Sequence, residues 1–165
     1  MSKTIILNHT DIVNKIRRIA YQIYEVNAKE KEVIIAGIDK NGYILAQKIE
    51  KVLNTIATIE TKLCRVVIDK KAPLSPITTS LDSKDYTTKS IVLVDDVLNG
   101  GTTLMYAVRH FLAVPLKQLK TVVMVDRNHK KYPIKVDFKG LSLSTSLQDH
   151  IEMSFSDKGD EAYLI

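Results

Sequence analysis

The sequence predicts an α/β fold, a mostly parallel sheet flanked by helices, with a small hood made from the terminal segments. Three observations carry this. Residues 32–38, 91–94 and 119–125 are apolar runs rich in β-branched residues, as expected of strands covered on both faces. Each run ends in a polar turn, at 39–42, 95–103 and 126–129. The first two turns lead into apolar residues at helical spacing, the repeating βα unit of a parallel sheet.

In chain order, residues 4–7 form a short apolar segment, and Asn8 or Thr10 can cap the helix after it. Ile12, Ile16, Ile19, Ala20 and Ile23 share one face, so residues 11–27 read as an amphipathic helix. The strand at 32–38 ends in Asp39, Lys40, Asn41 and Gly42, and helical spacing resumes over 43–53. Residues 56–68 read as a strand. Cys64 within it is a packing residue.

Residues 69–89 break the rhythm. Pro73, Pro76 and a Ser/Thr-rich tract carry no periodic apolar face. A loop of about 20 residues inside a compact domain is commonly a lid or binding loop. Lys70 and Lys71 are its candidates for closing over a site. After the central strand, Leu104, Ala107, Val108, Phe111 and Leu112 mark a helix. Residues 119–125 form a further strand and 136–143 an edge strand. The short pieces at 151–155 and 162–165 remain for the hood.

The stretch from Ser90 to Thr103 organises the rest: an apolar strand, Asp95 and Asp96, then Asn99, Gly100, Gly101, Thr102, Thr103 and a helix. In open α/β sheets ligands lie beyond the carboxyl ends of strands. The new helix offers unpaired N–H groups and the positive end of its dipole, which suits a phosphate. The glycines allow close backbone approach, and the threonines add hydroxyl donors. The carboxylates accept from sugar hydroxyls or attract Mg²⁺. The implied ligand therefore has a phosphate on one side and a diol or metal on the other. A plain capped turn uses the same residue types. Two adjacent acids at the end of a buried strand, however, are costly without a use.

Composition bounds the rest. The 165 residues fit one domain, 1–165. One cysteine excludes an intrachain disulfide or a cysteine-based zinc site. No apolar run reaches a membrane span of ~18 residues, and the start carries no apolar signal segment, so the expected location is cytoplasmic and no membrane partner is expected. The net charge of +5 is uneven. Residues 62–89 hold six Lys/Arg against three Asp, and 127–139 hold five against one. Such regions suit a polyphosphate, an RNA, or solubility alone.

The central string resembles the phosphoribosyl-pyrophosphate (PRPP) motif of type I phosphoribosyltransferases. That motif runs two acids, two apolar residues, any residue, Thr, Gly, any residue, Thr or Ser. Asp95, Asp96, Val97, Leu98, Gly101 and Thr103 match, and Gly100 stands where the family usually has Thr. The resemblance sharpens for the pyrimidine operon regulators that also have uracil phosphoribosyltransferase activity. Arg18-Ile19-Ala20 with Asn27, the 37–42 segment, the 125–129 segment, Pro133-Ile134, Asp137-Phe138, Gly140 and Thr145-Ser146 carry it. Two departures stand out. The branch's Tyr-Arg-Asp-Asp after the third strand is absent, with Val67-Ile68-Asp69-Lys70 nearby, and Lys40-Asn41 replaces its usual Thr-Arg.

The resemblance implies that Asp95 and Asp96 hold the ribose, with Mg²⁺ reached indirectly through PRPP. It implies that Asn99 to Thr103 hold the 5′-phosphate and that Asp39, Lys40, Asn41 and Gly42 form a pyrophosphate loop. Arg127 joins the acids as a candidate catalytic residue, for a further pyrophosphate or base contact. Asn99 replaces the Asp of purine enzymes and cannot exchange a proton, which tilts the base toward a pyrimidine, uracil first. The expected partners are PRPP and a nucleobase, with RNA possible, in a homodimer. Two alternatives stay open: a nucleotide-sensing RNA-binding regulator with weak or no catalysis, and a purine phosphoribosyltransferase.

Overall fold

The computed structural model describes residues 3–165. The elements run β1 (Thr4–Leu7), α1 (His9–Asn27), β2 (Glu32–Ile38), α2 (Asn41–Ile56), β3 (Glu60–Val67), β4 (Thr78–Thr79) and α3 (Ser83–Tyr86). They continue with β5 (Ser90–Leu98), α4 (Thr102–Phe111), β6 (Gln118–Asp126), β7 (Phe138–Ser142), β8 (Ile151–Ser154) and β9 (Glu161–Leu164). Six strands form the main sheet in the order β4-β3-β2-β5-β6-β7, and every pairing in it is parallel except β3 with β4. The hood is a separate antiparallel sheet of order β1-β9-β8.

Strand alternation divides the core into two layers. On one face Val33, Ile35, Val92 and Val94 meet Ile12, Ile16, Ile19 and Ile23 of α1 and Leu45, Ile49 and Leu53 of α2. On the other, Ile34, Ala36, Ile91 and Leu93 meet Leu104, Ala107 and Phe111 of α4 and Tyr86 of α3. Each buried Val, Ile, Leu or Phe among them contributes about 1.5–3 kcal/mol. α1 starts at His9 because Asn8 accepts from the Asp11 N–H while Asp11 returns the bond to the Asn8 N–H. Asp160, buried under the hood, receives Lys48 Nζ at 3.0 Å and faces His9 at 3.7 Å, tying hood to helices. Cys64 is buried, and burial pushes its thiol pKa up.

Among the boundaries that differ from the sequence reading, four bear on the site. α2 begins at Asn41, so half of the polar turn lies in the helix's first turn, and it runs on through Ile56. β3 is therefore shorter, at Glu60–Val67. β5 does not stop at Val94 but carries Asp95 and Asp96 inside the strand, paired along β6 as far as Leu98 with Asp126. The 69–89 segment is not one free excursion. β4 pairs with the end of β3, α3 follows with its own capping box, and Tyr86 is only 3% exposed against Phe111. The sequence signal failed there because Ile77, Leu81 and Tyr86 reach the core singly, without a period.

Candidate active site

The carboxyl end of the sheet gathers β2, β5 and β6 with the turns that leave them. Parallel register sets Gly37 beside Val94, so the turn after β2 lies next to the acid pair. Two glycines allow this. A Cβ at Gly42 would lie 2.8 Å from the Val94 carbonyl and 2.9 Å from Asp95 Cα, and one at Gly37 would lie 2.5 Å from Tyr43 Cα. The first turn of α2 thus rests on β5. Asn41 Nδ2 donates to Asp96 Oδ2 at 2.9 Å and to the Met153 carbonyl of the hood at 3.0 Å.

Asp95 is 4% exposed and Asp96 half-buried. Burial, then the neighbouring Asp96 charge, pushes the Asp95 pKa up to about 8, against the opposing pull of Lys70. Lys70 Nζ stands 3.8 Å from Asp95 Oδ1, bringing the loop lysine over the acid. Lys71 is exposed beside it.

Lys70, Asp95, Asn99, Gly100, Gly101, Thr102 and Thr103 line a cavity of about 220 Å³. Gly101 has φ +88°, and a Cβ there would meet Ile134 at 2.7 Å, so glycine is required. It ends the turn before α4, where no side chain caps the helix. The cavity therefore faces the helix's first-turn N–H donors together with the two threonines. The Gly100 carbonyl accepts from the Lys131 and Tyr132 N–H groups at 2.7 and 3.2 Å, which locks the turn to the chain after β6. A larger apolar cavity, about 650 Å³, lies on the outer face of α4 around Met105, Tyr106, Leu112 and Tyr132. It holds no carboxylate, so the chemistry belongs to the smaller one.

In the 39–42 turn, the Asp39–Lys40 peptide is cis and Lys40 is exposed. Arg65 Nε lies 3.2 Å from Asp39 Oδ1, and its guanidinium covers the Tyr43 ring at 4.8 Å. Sequence reading missed Arg65. Its place follows from the β2–β3 register, which sets it beside Gly37.

Arg127 is 6% exposed. Nε donates to Thr145 Oγ1 at 3.0 Å, Nη1 to Asn99 Oδ1 at 2.7 Å, and Nη2 to the Ser146 and Asp149 carbonyls at 3.1 and 2.6 Å. The neighbouring His129 Nε2 contacts the Thr145 carbonyl. Four of the five guanidinium N–H groups are thus engaged with protein, leaving one for any ligand. Thr145, marked only by the resemblance and given no role there, and Asp149, marked by nothing in the sequence, are site neighbours that sequence reading missed.

Among the described residues no group of three or more His, Cys, Asp or Glu could hold a metal. Asp95 and Asp96 are hard oxygen donors, which fit Mg²⁺ arriving with a polyphosphate better than a resident ion. No described helix is long and apolar enough to cross a membrane.

An acid pair inside a parallel strand, a glycine turn feeding an uncapped helix, and a second turn from the adjacent strand define an open α/β protein whose candidate site lies at the carboxyl end of its parallel sheet. Residues 2–156 match the model of the phosphoribosyl transferase domain, and the chain belongs to that family. It is 28% identical over 161 residues to the "Bifunctional protein PyrR" of Streptococcus pneumoniae, strain CGSP14 and others, covering 94% of this chain and 92% of that protein. Among solved structures, the hypoxanthine phosphoribosyltransferase of Trypanosoma cruzi gives a TM-score of 0.78 at 14% identity, covering 97% of this chain and 95% of that one. A hypoxanthine-guanine phosphoribosyltransferase of Bacillus anthracis gives 0.72 at 16%, covering 86% and 82%. At these identities the likeness to the two structures is one of fold.

Proposed function

We propose that the protein transfers the ribosyl phosphate of PRPP to a pyrimidine base, uracil, giving the nucleoside 5′-monophosphate and pyrophosphate. The C1′–O bond to pyrophosphate breaks, a C1′–N bond to the base forms, and the base gives up its N–H proton to the departing pyrophosphate. The observation that carries this is the convergence of Asp95, Asp96 and Asn41 with the Asn99–Thr103 turn at one end of the sheet. In this reading Asp95 and Asp96 take the ribose hydroxyls, and Asn99 to Thr103 take the 5′-phosphate. Asp39 to Gly42 supply N–H groups to pyrophosphate. Mg²⁺, when bound with PRPP, offsets charge on the departing pyrophosphate. The protein's share is orientation and exclusion of water, with Lys70 and Lys71 closing from the loop.

Asn99 supports a pyrimidine. Its Oδ1 is turned to Arg127, so neither proton exchange nor its acceptor is directed at a base. The relatives named "Bifunctional protein PyrR" favour a second role beside catalysis, and the resemblance to pyrimidine operon regulators makes nucleotide-sensed RNA binding the candidate for it. Against a strong basic surface, many lysines of the two basic regions are paired, Lys62 and Lys89 with Glu32, Lys130 and Lys139 with Asp126, and Lys135 with Asp137.

A panel of uracil, hypoxanthine and guanine with PRPP and Mg²⁺, followed by pyrophosphate release, tests the reading. Release with uracil alone is expected. Release only with a purine would overturn the base assignment, and PRPP binding unchanged in Asp95→Asn/Asp96→Asn would overturn the site. RNA binding with a steep salt dependence would establish the second role.

A further inference from the structure

The Arg127 guanidinium joins two parts of the chain that the proposed reaction must coordinate. On one side is Asn99, the first residue of the phosphate turn, exposed at the cavity mouth. On the other is the strap at 143–149, which leads directly into hood strand β8. Three of the four bonds hold the strap, at Thr145, Ser146 and Asp149. The strap also closes on itself, since Asp149 Oδ2 accepts the Ser146 N–H at 2.8 Å, and it is fastened at its start by the Leu143 N–H to the Asp126 carbonyl at 2.8 Å. Further along, the hood is held by the bond from Asn41 to the Met153 carbonyl.

Asn99 has two polar ends. Its Oδ1 accepts from Arg127, while its Nδ2 has no protein partner among the described residues. An amide that donates to a phosphate oxygen becomes a better acceptor at its own oxygen, and its rotamer is fixed. We propose that Arg127 is a positioning residue which, through Asn99, couples a phosphate monoester in the Asn99–Thr103 turn to the order of the 143–149 strap. Phosphate bound to the turn holds the Asn99 amide, Asn99 holds Nη1, and the planar fork then holds the strap with its other donors. Bound sugar phosphate thereby tightens a hold on strap and hood whose bonds the free protein already makes. This rests on the phosphoribosyl-transfer reading and adds an order of events to it.

Hydrogen exchange of residues 143–150 tests it, with and without PRPP and Mg²⁺, beside calorimetry of the same samples. In the wild type, bound PRPP slows exchange of the strap. At PRPP concentrations that saturate each protein by calorimetry, Asn99→Ala, which itself binds PRPP more weakly, loses about tenfold or more of that slowing, the size expected for one charge-assisted hydrogen bond. Asn99→Asp keeps an acceptor for Arg127 but offers no N–H to the phosphate, so its strap stays slow in the free protein and gains no further slowing from PRPP, a pattern that simple loss of packing would not give. Arg127→Lys lacks the fork and speeds strap exchange even without ligand. PRPP binding with full strap slowing in Asn99→Ala would overturn the coupling and leave the reaction standing. No PRPP binding by the wild type would overturn both.

Discussion

Asn41 Nδ2 sits 2.9 Å from Asp96 Oδ2 and donates from the same nitrogen to the Met153 carbonyl, so one amide fastens the acid pair to the hood. Removing it leaves a half-buried carboxylate short of a donor. Asn41→Ala should weaken PRPP binding by about 1.5–3 kcal/mol and lower the melting temperature as well. Asn41→Asp should be worse, because it places a like charge against Asp96. Calorimetry and thermal melts of the two variants check this. Equal affinities in both and in the wild type would reject the role.

The raised pKa of Asp95 makes stability depend on pH. The folded protein keeps this proton up to about 8, while the unfolded chain releases it near the ordinary carboxyl value of 3.8. Between those values the native state binds more protons than the unfolded one, so stability falls as pH rises. Asp95→Asn removes the effect. Its melting temperature relative to the wild type should climb from pH 4 to pH 8. A constant difference across that range would refute the assignment.

The phosphate turn yields a paired test. Thr103→Val removes one hydroxyl donor and should reduce PRPP affinity by about 1.5–3 kcal/mol with little effect on folding. Gly101→Ala should destabilise the fold by about 1–2 kcal/mol or more, because its φ is +88° and the new methyl meets Ile134. Gly100 differs from Gly101. A Cβ there meets only Lys131 Cβ, at 3.4 Å, so Gly100→Thr should fold and bind PRPP more tightly. Chemical denaturation read beside PRPP titration separates the two effects.

The lid is smaller than its composition suggests. With β4 paired and Tyr86 buried, residues 77–89 should already be protected from hydrogen exchange in the free protein. Residues 69–76, which carry Lys70 and Lys71, should exchange quickly and slow when PRPP and Mg²⁺ bind. Lys70→Ala should raise the Asp95 pKa further, because Lys70 is the charge that lowers it. Protection of 69–76 in the free protein, unchanged by ligand, would replace the lid with a dimer contact.

Much of this was readable along the chain. The apolar runs marked β2, β5 and β6, and the α1 periodicity named Ile12, Ile16, Ile19, Ala20 and Ile23, all of them buried. The Asp95–Thr103 string located the cavity, because strand, acid pair, glycine turn and helix are contiguous, and local chemistry alone arranges them.

Contacts between distant segments were decided only by the tertiary structure. Arg65 reaches Asp39 through β2–β3 register, and Lys70 reaches Asp95 through the course of a loop. Arg127 meets Asn99 across two strand ends and Thr145 beyond an edge strand. Sequence spacing determines which residues share a face or a turn. Which turns meet is set by strand order and register, which depend on packing two layers of side chains around one sheet. The same packing took Asp95 out of water, and so turned an ordinary carboxylate into one that holds its proton to about pH 8.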